Sequence, residues 1–182
     1  MTSPFSILPL TKEAPRATWT PPASFLEPSQ PIERVQLRQK KYHRRSGNSE
    51  ARERGLRFEE RVQEHLSEAF PTSYIAEPEL VYWTGKGPRN GFPDGVLELP
   101  DRLVVFEMKI QHMPEAWWQL RKHYQPVLEA YTKVPVQCVE IVKDFDLQMP
   151  FPEDEISYYE LRDLDKLLVS DPHDFAVLWW PR

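Results

Sequence analysis

The chain has 182 residues, a formal net charge of −5, 19 prolines and one cysteine. That length suits one domain with a self-sufficient core. The lone Cys138 excludes an intramolecular disulfide and any zinc or iron–sulfur centre built from cysteines, and it favours a reducing compartment. His43, His65, His112, His123 and His173 show no metal-ligand spacing. No apolar run approaches the ~20 residues of a membrane span, and the start of the chain lacks the pattern of a secretory signal. A cytoplasmic protein with no membrane partner is the expectation.

Residues 1–33 hold seven prolines and no glycine, a composition that sustains neither helix nor ladder. An extended arm is expected there, with Phe5, Trp19 and Phe25 as apolar points for draping on a protein partner or a second copy. Residues 34–182 form the folded domain, which opens with a basic, helical segment over 34–61. Helix is expected from Glu33 to about His43 and again from Ser49 to about Phe70. In the second stretch Phe58, Val62, Leu66 and Ala69 form one apolar stripe, and Pro71 stops it. Ten Lys or Arg against four Glu give residues 34–61 a local charge of +6, leaving −11 elsewhere. A basic arm that grips phosphates, with Arg44, Arg45 and Arg52 among its contacts, fits this segregation; a solvated helix face is the alternative.

The centre of the chain changes period. "YIAEPELVYW", "FPDGVLEL" and "RLVVFEMKI" read as a three-stranded meander, separated by the turn-rich "TGKGPRNG" and by "PD". A helix follows from Pro114, with Trp117, Leu120, Tyr124, Leu128 and Tyr131 as its buried stripe and a kink at Pro126. "VPVQCVEIV" is a fourth strand, "ELRDLDKLLV" a short helix and "FAVLWW" a last strand or an apolar tail. The order predicts an α/β fold with helices flanking a mixed sheet.

Three charges sit in the apolar hairpin: Asp94, Glu107 and Lys109. If its turn is Pro100 and Asp101, Asp94 lies opposite Glu107, and a three- or five-residue turn shifts that register by one. Opposed like charges repel, so stability does not select this pairing. Lys109 shares the face of Glu107, while Met108 points the other way. Two converging carboxylates call for a cation or a shared proton, and oxygen ligands favour a hard ion such as Mg²⁺ or Mn²⁺. Such an ion beside an ammonium suits phosphodiester hydrolysis. In the alternative reading Asp94 caps a turn and Glu107 pairs with Lys109 at a strand end.

Pro93-Asp94, twelve intervening residues and Glu107-Met108-Lys109, on two successive strands between helices, resemble the PD-(D/E)XK nuclease superfamily. The resemblance spans roughly residues 50–142. It implies a restriction-endonuclease-like core of order α-β-β-β-α-β and a Mg²⁺-dependent deoxyribonuclease of DNA processing, recombination or repair. It further implies Asp94 and Glu107 as metal ligands, the Met108 carbonyl as a third, and Lys109 as the catalytic ammonium. Members often carry Gly-x-x-x-Glu on the first helix, matched here by Gly55 and Glu59, with Glu60 the weaker substitute. The RecB-like branch adds Gln-x-x-x-Tyr after the ExK strand. Here Gln119 and Tyr124 stand one residue too far apart, which in an α-helix turns Tyr124 away from the face of Gln119. Gln119 is retained as a site candidate and Tyr124 is assigned to the core.

For the nucleic acid itself, Lys86 and Arg89 in the loop before Asp94, and Arg121 and Lys122 on the following helix, are candidate phosphate contacts. Trp118 is the best candidate for stacking on an unpaired base, ahead of Trp83 and of Trp117, which helical spacing assigns to the core. Each of these has solvated surface or core as its alternative. Two further readings remain: a nucleic-acid-binding or assembly protein that keeps this fold without hydrolysis, and a nuclease whose target is RNA.

Overall fold

A computed structural model describes residues 31–39, 49–144 and 156–180; the proline-rich arm before residue 31, with the Lys40–Arg45 run, lies outside the described residues. The first helix, α1 (Glu50–Ala69), begins where the Ser49 hydroxyl accepts the Arg52 N–H at 3.3 Å. Glu50 and Glu53 in its first turn complement the helix dipole. Phe58, Val62 and Leu66 recur every fourth residue and are buried together, and the helix ends at Phe70 ahead of Pro71.

The molecule is an α/β fold built on a mixed six-stranded sheet with helices on both faces. The strands are β1 (Arg34–Gln39), β2 (Tyr74–Ala76), β3 (Pro78–Thr84), β4 (Gly87–Gly91), β5 (Gly95–Glu98), β6 (Leu103–Gln111), β7 (Val136–Asp144), β8 (Ile156–Glu160) and β9 (Phe175–Trp179). The main sheet runs β2-β5-β6-β7-β9-β8. Its β2, β5 and β6 are antiparallel; β6, β7, β9 and β8 are parallel neighbours. One face carries Leu97, Val104, Phe106, Met108, Val139 and Ile141, packed under α1 and under α4 (Leu164–Val169). The opposite face carries Val96, Val105, Cys138 and Val177. It packs under a long helix made of α2 (Pro114–Trp118), a π-helical turn over Gln119–Tyr124 and α3 (Gln125–Tyr131).

Five local expectations change. Glu33–His43 is not helical over its described part: β1 replaces it, because Val35 and Leu37 alternate with Arg34, Gln36 and Arg38 and pack inward with period two. "YIAEPELVYW" is two strands in two sheets. The chain breaks at Glu77, whose φ of 45° lies in the left-handed region, and passes from β2 of the main sheet into a second, antiparallel sheet of order β1-β3-β4. "TGKGPRNG" is the turn and second strand of the β3–β4 hairpin, with Gly87 at φ 101° supplying the bend. Residues Ile156–Glu160 form a strand the sequence did not reveal, and Tyr131 at the end of the predicted stripe is exposed.

Candidate active site

The β5–β6 hairpin has the register expected from a Pro100–Asp101 turn. Gly95 pairs with Phe106, Val96 with Val105 and Glu98 with Leu103, and the Leu99 N–H donates to the Arg102 carbonyl at 3.0 Å. At its open end the ladder departs from the expected pairing of Asp94 with Glu107. The Asp94 N–H donates to the Phe106 carbonyl at 3.1 Å, although Phe106 is already the partner of Gly95, so the strand bulges at Asp94. The Asp94 carboxylate then turns across the gap and accepts the Met108 N–H at 2.8 Å. Gly95 is required beside it, since a Cβ there would fall 2.5 Å from the Tyr74 hydroxyl.

Asp94 is 8% exposed and Glu107 4%. Lys109 lies on the face of Glu107, as alternation demands, and its ammonium meets Glu107 Oε1 at 2.6 Å. The other oxygen, Oε2, is buried with no hydrogen-bond partner among the described residues. Burial pushes the Glu107 carboxyl up; Lys109 opposes that shift, while the nearby Glu59 and Glu140 carboxylates add to it. For Lys109, burial alone would favour the neutral amine, but the adjoining Glu107, with Asp94 and Glu59, overrides it and holds the pKa above the ordinary lysine value. Asp94, Glu59 and Glu107 thus each act on the Lys109 charge, and Glu59 acts on that of Glu107. Glu59 is half-buried and Glu60 exposed. Met108 has its side chain in the core under α1, and Gly55 faces open space.

The helix after β6 contains the feature that sequence spacing concealed. From Gln119 to Tyr124 its turn is π-helical, and the Gln125 N–H bonds to the Leu120 carbonyl five residues back. The wider turn gives residues five apart the relation that residues four apart have in an α-helix. Tyr124 is therefore not rotated away from Gln119, which corrects the expectation from α-helical geometry. Tyr124 is buried in the core as assigned, and its phenol oxygen accepts from the Phe92 backbone N–H. Burial first, then the Glu107 and Asp94 charges, raise its pKa. The Gln119 Oε1 is buried without a hydrogen-bond partner among the described residues.

The remaining candidates scatter. Lys86 and Arg89 are exposed on the β3–β4 hairpin, whose last residue, Gly91, is three positions before Asp94. Arg52 is exposed on α1, and Arg44 and Arg45 lie outside the described residues. Arg121 is engaged internally, donating to the His173 carbonyl at 2.8 Å and to Gln125 at 3.3 Å. Trp118 is half-buried against the core, edge-to-face with buried Trp117, and Lys122 sits 5.9 Å from the Trp117 ring. Trp83 is partly exposed on the outer face of the small sheet under the Arg34 guanidinium.

Two residues that the sequence reading passed over stand next to the site. Glu140 is the register partner of Glu107 on β7, and its side chain is wholly buried against that of His112, Oε2 to Nδ1 at 2.5 Å. The available signal was a single carboxylate inside the apolar run "VPVQCVEIV".

Among the described residues no three His, Cys, Asp or Glu side chains are gathered as a ready-made metal cluster. The donor set still suits a hard divalent ion. Among the described residues it is oxygen-only, it includes Glu107 Oε2 without a hydrogen-bond partner, and Asp94, Glu107 and Glu59 outnumber the Lys109 ammonium beside them. No helix among the described residues is long and apolar enough to cross a membrane.

No family model and no curated protein matches the chain. Among solved structures, protein VC1899 from Vibrio cholerae is similar at 11% identity and a TM-score of 0.34, over 66% of this chain and 28% of that one. The chain thus spans under a third of that protein's length, and a likeness at this level carries no functional argument.

Proposed function

We propose that the protein is a Mg²⁺- or Mn²⁺-dependent nuclease that hydrolyses phosphodiester bonds of DNA, with Asp94 and Glu107 as its principal metal ligands. The observation that carries this reading is Glu107 Oε2, a buried carboxylate oxygen without a hydrogen-bond partner among the described residues, beside a charged lysine and further acids. A buried carboxylate in that state is costly unless a cation completes it. A bound divalent ion supplies Lewis-acid polarisation of a phosphoryl oxygen and a nucleophile at neutral pH.

The chain's own groups provide the rest. Asp94 and Glu107 give oxygens from two paired strands, and Glu59 adds negative potential from α1. Lys109, kept charged by its surroundings, stabilises the negative charge that grows on the phosphoryl group. Lys86 and Arg89 offer exposed positive charge on the hairpin that leads to Asp94. Gln119 presents an amide along the same helix as Tyr124.

A second reading has its own support. Both acids already have partners, Lys109 for Glu107 and the Met108 N–H for Asp94, which suits a nucleic-acid-binding protein that does not hydrolyse. Incubating labelled single- and double-stranded DNA, with RNA in parallel, in Mg²⁺ or Mn²⁺ separates the two. Cleavage that Lys109→Ala and Asp94→Ala each reduce by about 100-fold or more supports the nuclease. Binding without cleavage in either metal supports the second reading, and cleavage confined to RNA reassigns the substrate.

A further inference from the structure

The His112–Glu140 pair stands at the edge of an apolar core. Both side chains are wholly buried, on a face that carries Glu107 beside Glu140 and otherwise Val105, Cys138, Val142 and Val177. Burial pushes the Glu140 carboxyl up, and the bonds from His112 and from the Met113 N–H only partly offset this. Apolar residues of similar volume often serve stability as well as or better than a buried ion pair. The location accounts for the pair in another way. Glu140 Oε2 meets His112 just past the end of β6, and Oε1 accepts the N–H of Met113 at 3.3 Å, the residue that caps α2. One carboxylate on β7 therefore ties down the corner at which the strand of Glu107 and Lys109 becomes the helix of Gln119 and Tyr124. The same carboxylate is the register neighbour of Glu107 and acts on its charge, and Lys109 acts in turn on Glu140.

We propose that Glu140, held by His112, is a positioning residue of the candidate site: it fixes the β6–α2 corner and adds negative field behind Glu107, so setting the affinity for a divalent cation. The inference rests on the functional reading above. Its test is calorimetric titration of the full chain with Mn²⁺, together with the melting temperature, for wild type, Glu140→Gln and the double variant His112→Leu/Glu140→Leu.

The double variant replaces the pair by apolar volume and should keep or raise the melting temperature while Mn²⁺ affinity falls roughly tenfold or more. Glu140→Gln keeps an acceptor for Met113 but loses the charge, and it should show the same loss of affinity in a folded protein. Should the double variant fail to fold, Glu140→Gln decides alone. Either folded variant binding Mn²⁺ as tightly as wild type overturns the inference and leaves the functional reading standing. Wild type that binds no Mn²⁺ overturns the functional reading, and this inference with it.

Discussion

Glu107 shows how one residue can be at odds with its surroundings for a reason. Among the described residues it has one ammonium partner, through Oε1, while Oε2 is buried without a hydrogen bond, so its charge is compensated on one side only. A different balance holds at His123, whose Nε2 meets the Tyr82 hydroxyl at 3.1 Å beneath the β3–β4 hairpin. Burial holds this imidazole below the ordinary histidine pKa, so as the pH falls the unfolded chain takes up the proton before the folded one does. The contribution is complete above the ordinary histidine value and is lost as the pH drops through the buried one. Melting temperatures at about pH 7.5 and about pH 5.5 should therefore differ less for His123→Gln than for wild type. Equal differences would mean that His123 does not titrate with unfolding. Asp94, Glu107 and Lys109 were conspicuous in the sequence because charge inside apolar strands has no local explanation. Glu140 was equally exceptional, but its partner His112 lies 28 positions away, and spacing cannot connect two residues that only the sheet brings together.

Among the elements, the β5–β6 hairpin was the most legible, since alternation fixes the faces and a two-residue turn fixes the register. Arg102 holds that turn in place, donating to the Ser170 carbonyl at 2.8 Å and pairing with Asp101. The first strand was misread because its residues suit a helix in composition, while Val35 and Leu37 already alternated with polar neighbours. The helix over the site was misread for a different reason. One residue too many between Gln119 and Tyr124 looks like a broken pattern only if every turn is α-helical, and the π turn absorbs the extra residue. Deleting Lys122 should therefore convert the turn to α-helix with the faces on either side preserved. The expected outcome is unchanged helical circular dichroism and a melting temperature equal to or above wild type. Loss of folding on that deletion would show that the π turn is needed for packing.

At the scale of the molecule, the site lies where the antiparallel half of the main sheet meets its parallel half, at the end of β6. The chain concentrates positive charge in residues 34–61 and leaves the remainder at −11. A phosphate grip delivered by the basic segment would offset repulsion between DNA and the acidic centre. If Arg44 and Arg45 each neutralise one phosphate, replacing both by Gln flattens the dependence of log affinity on log salt by about two. An unchanged slope would assign them to solvated surface. The charge segregation itself is legible in the sequence. The second sheet was not, because nothing in "YIAEPELVYW" marks the left-handed turn at Glu77 that sends β3 out of the main sheet.

Acids from two paired strands are proposed to collect a divalent cation beside Lys109, and calorimetric titration of Mn²⁺ into the full chain, alongside Asp94→Asn and Glu107→Gln, measures that binding. Uptake by wild type is expected, with binding at least about tenfold weaker in each variant. No uptake by wild type, or equal uptake by all three proteins, would contradict it.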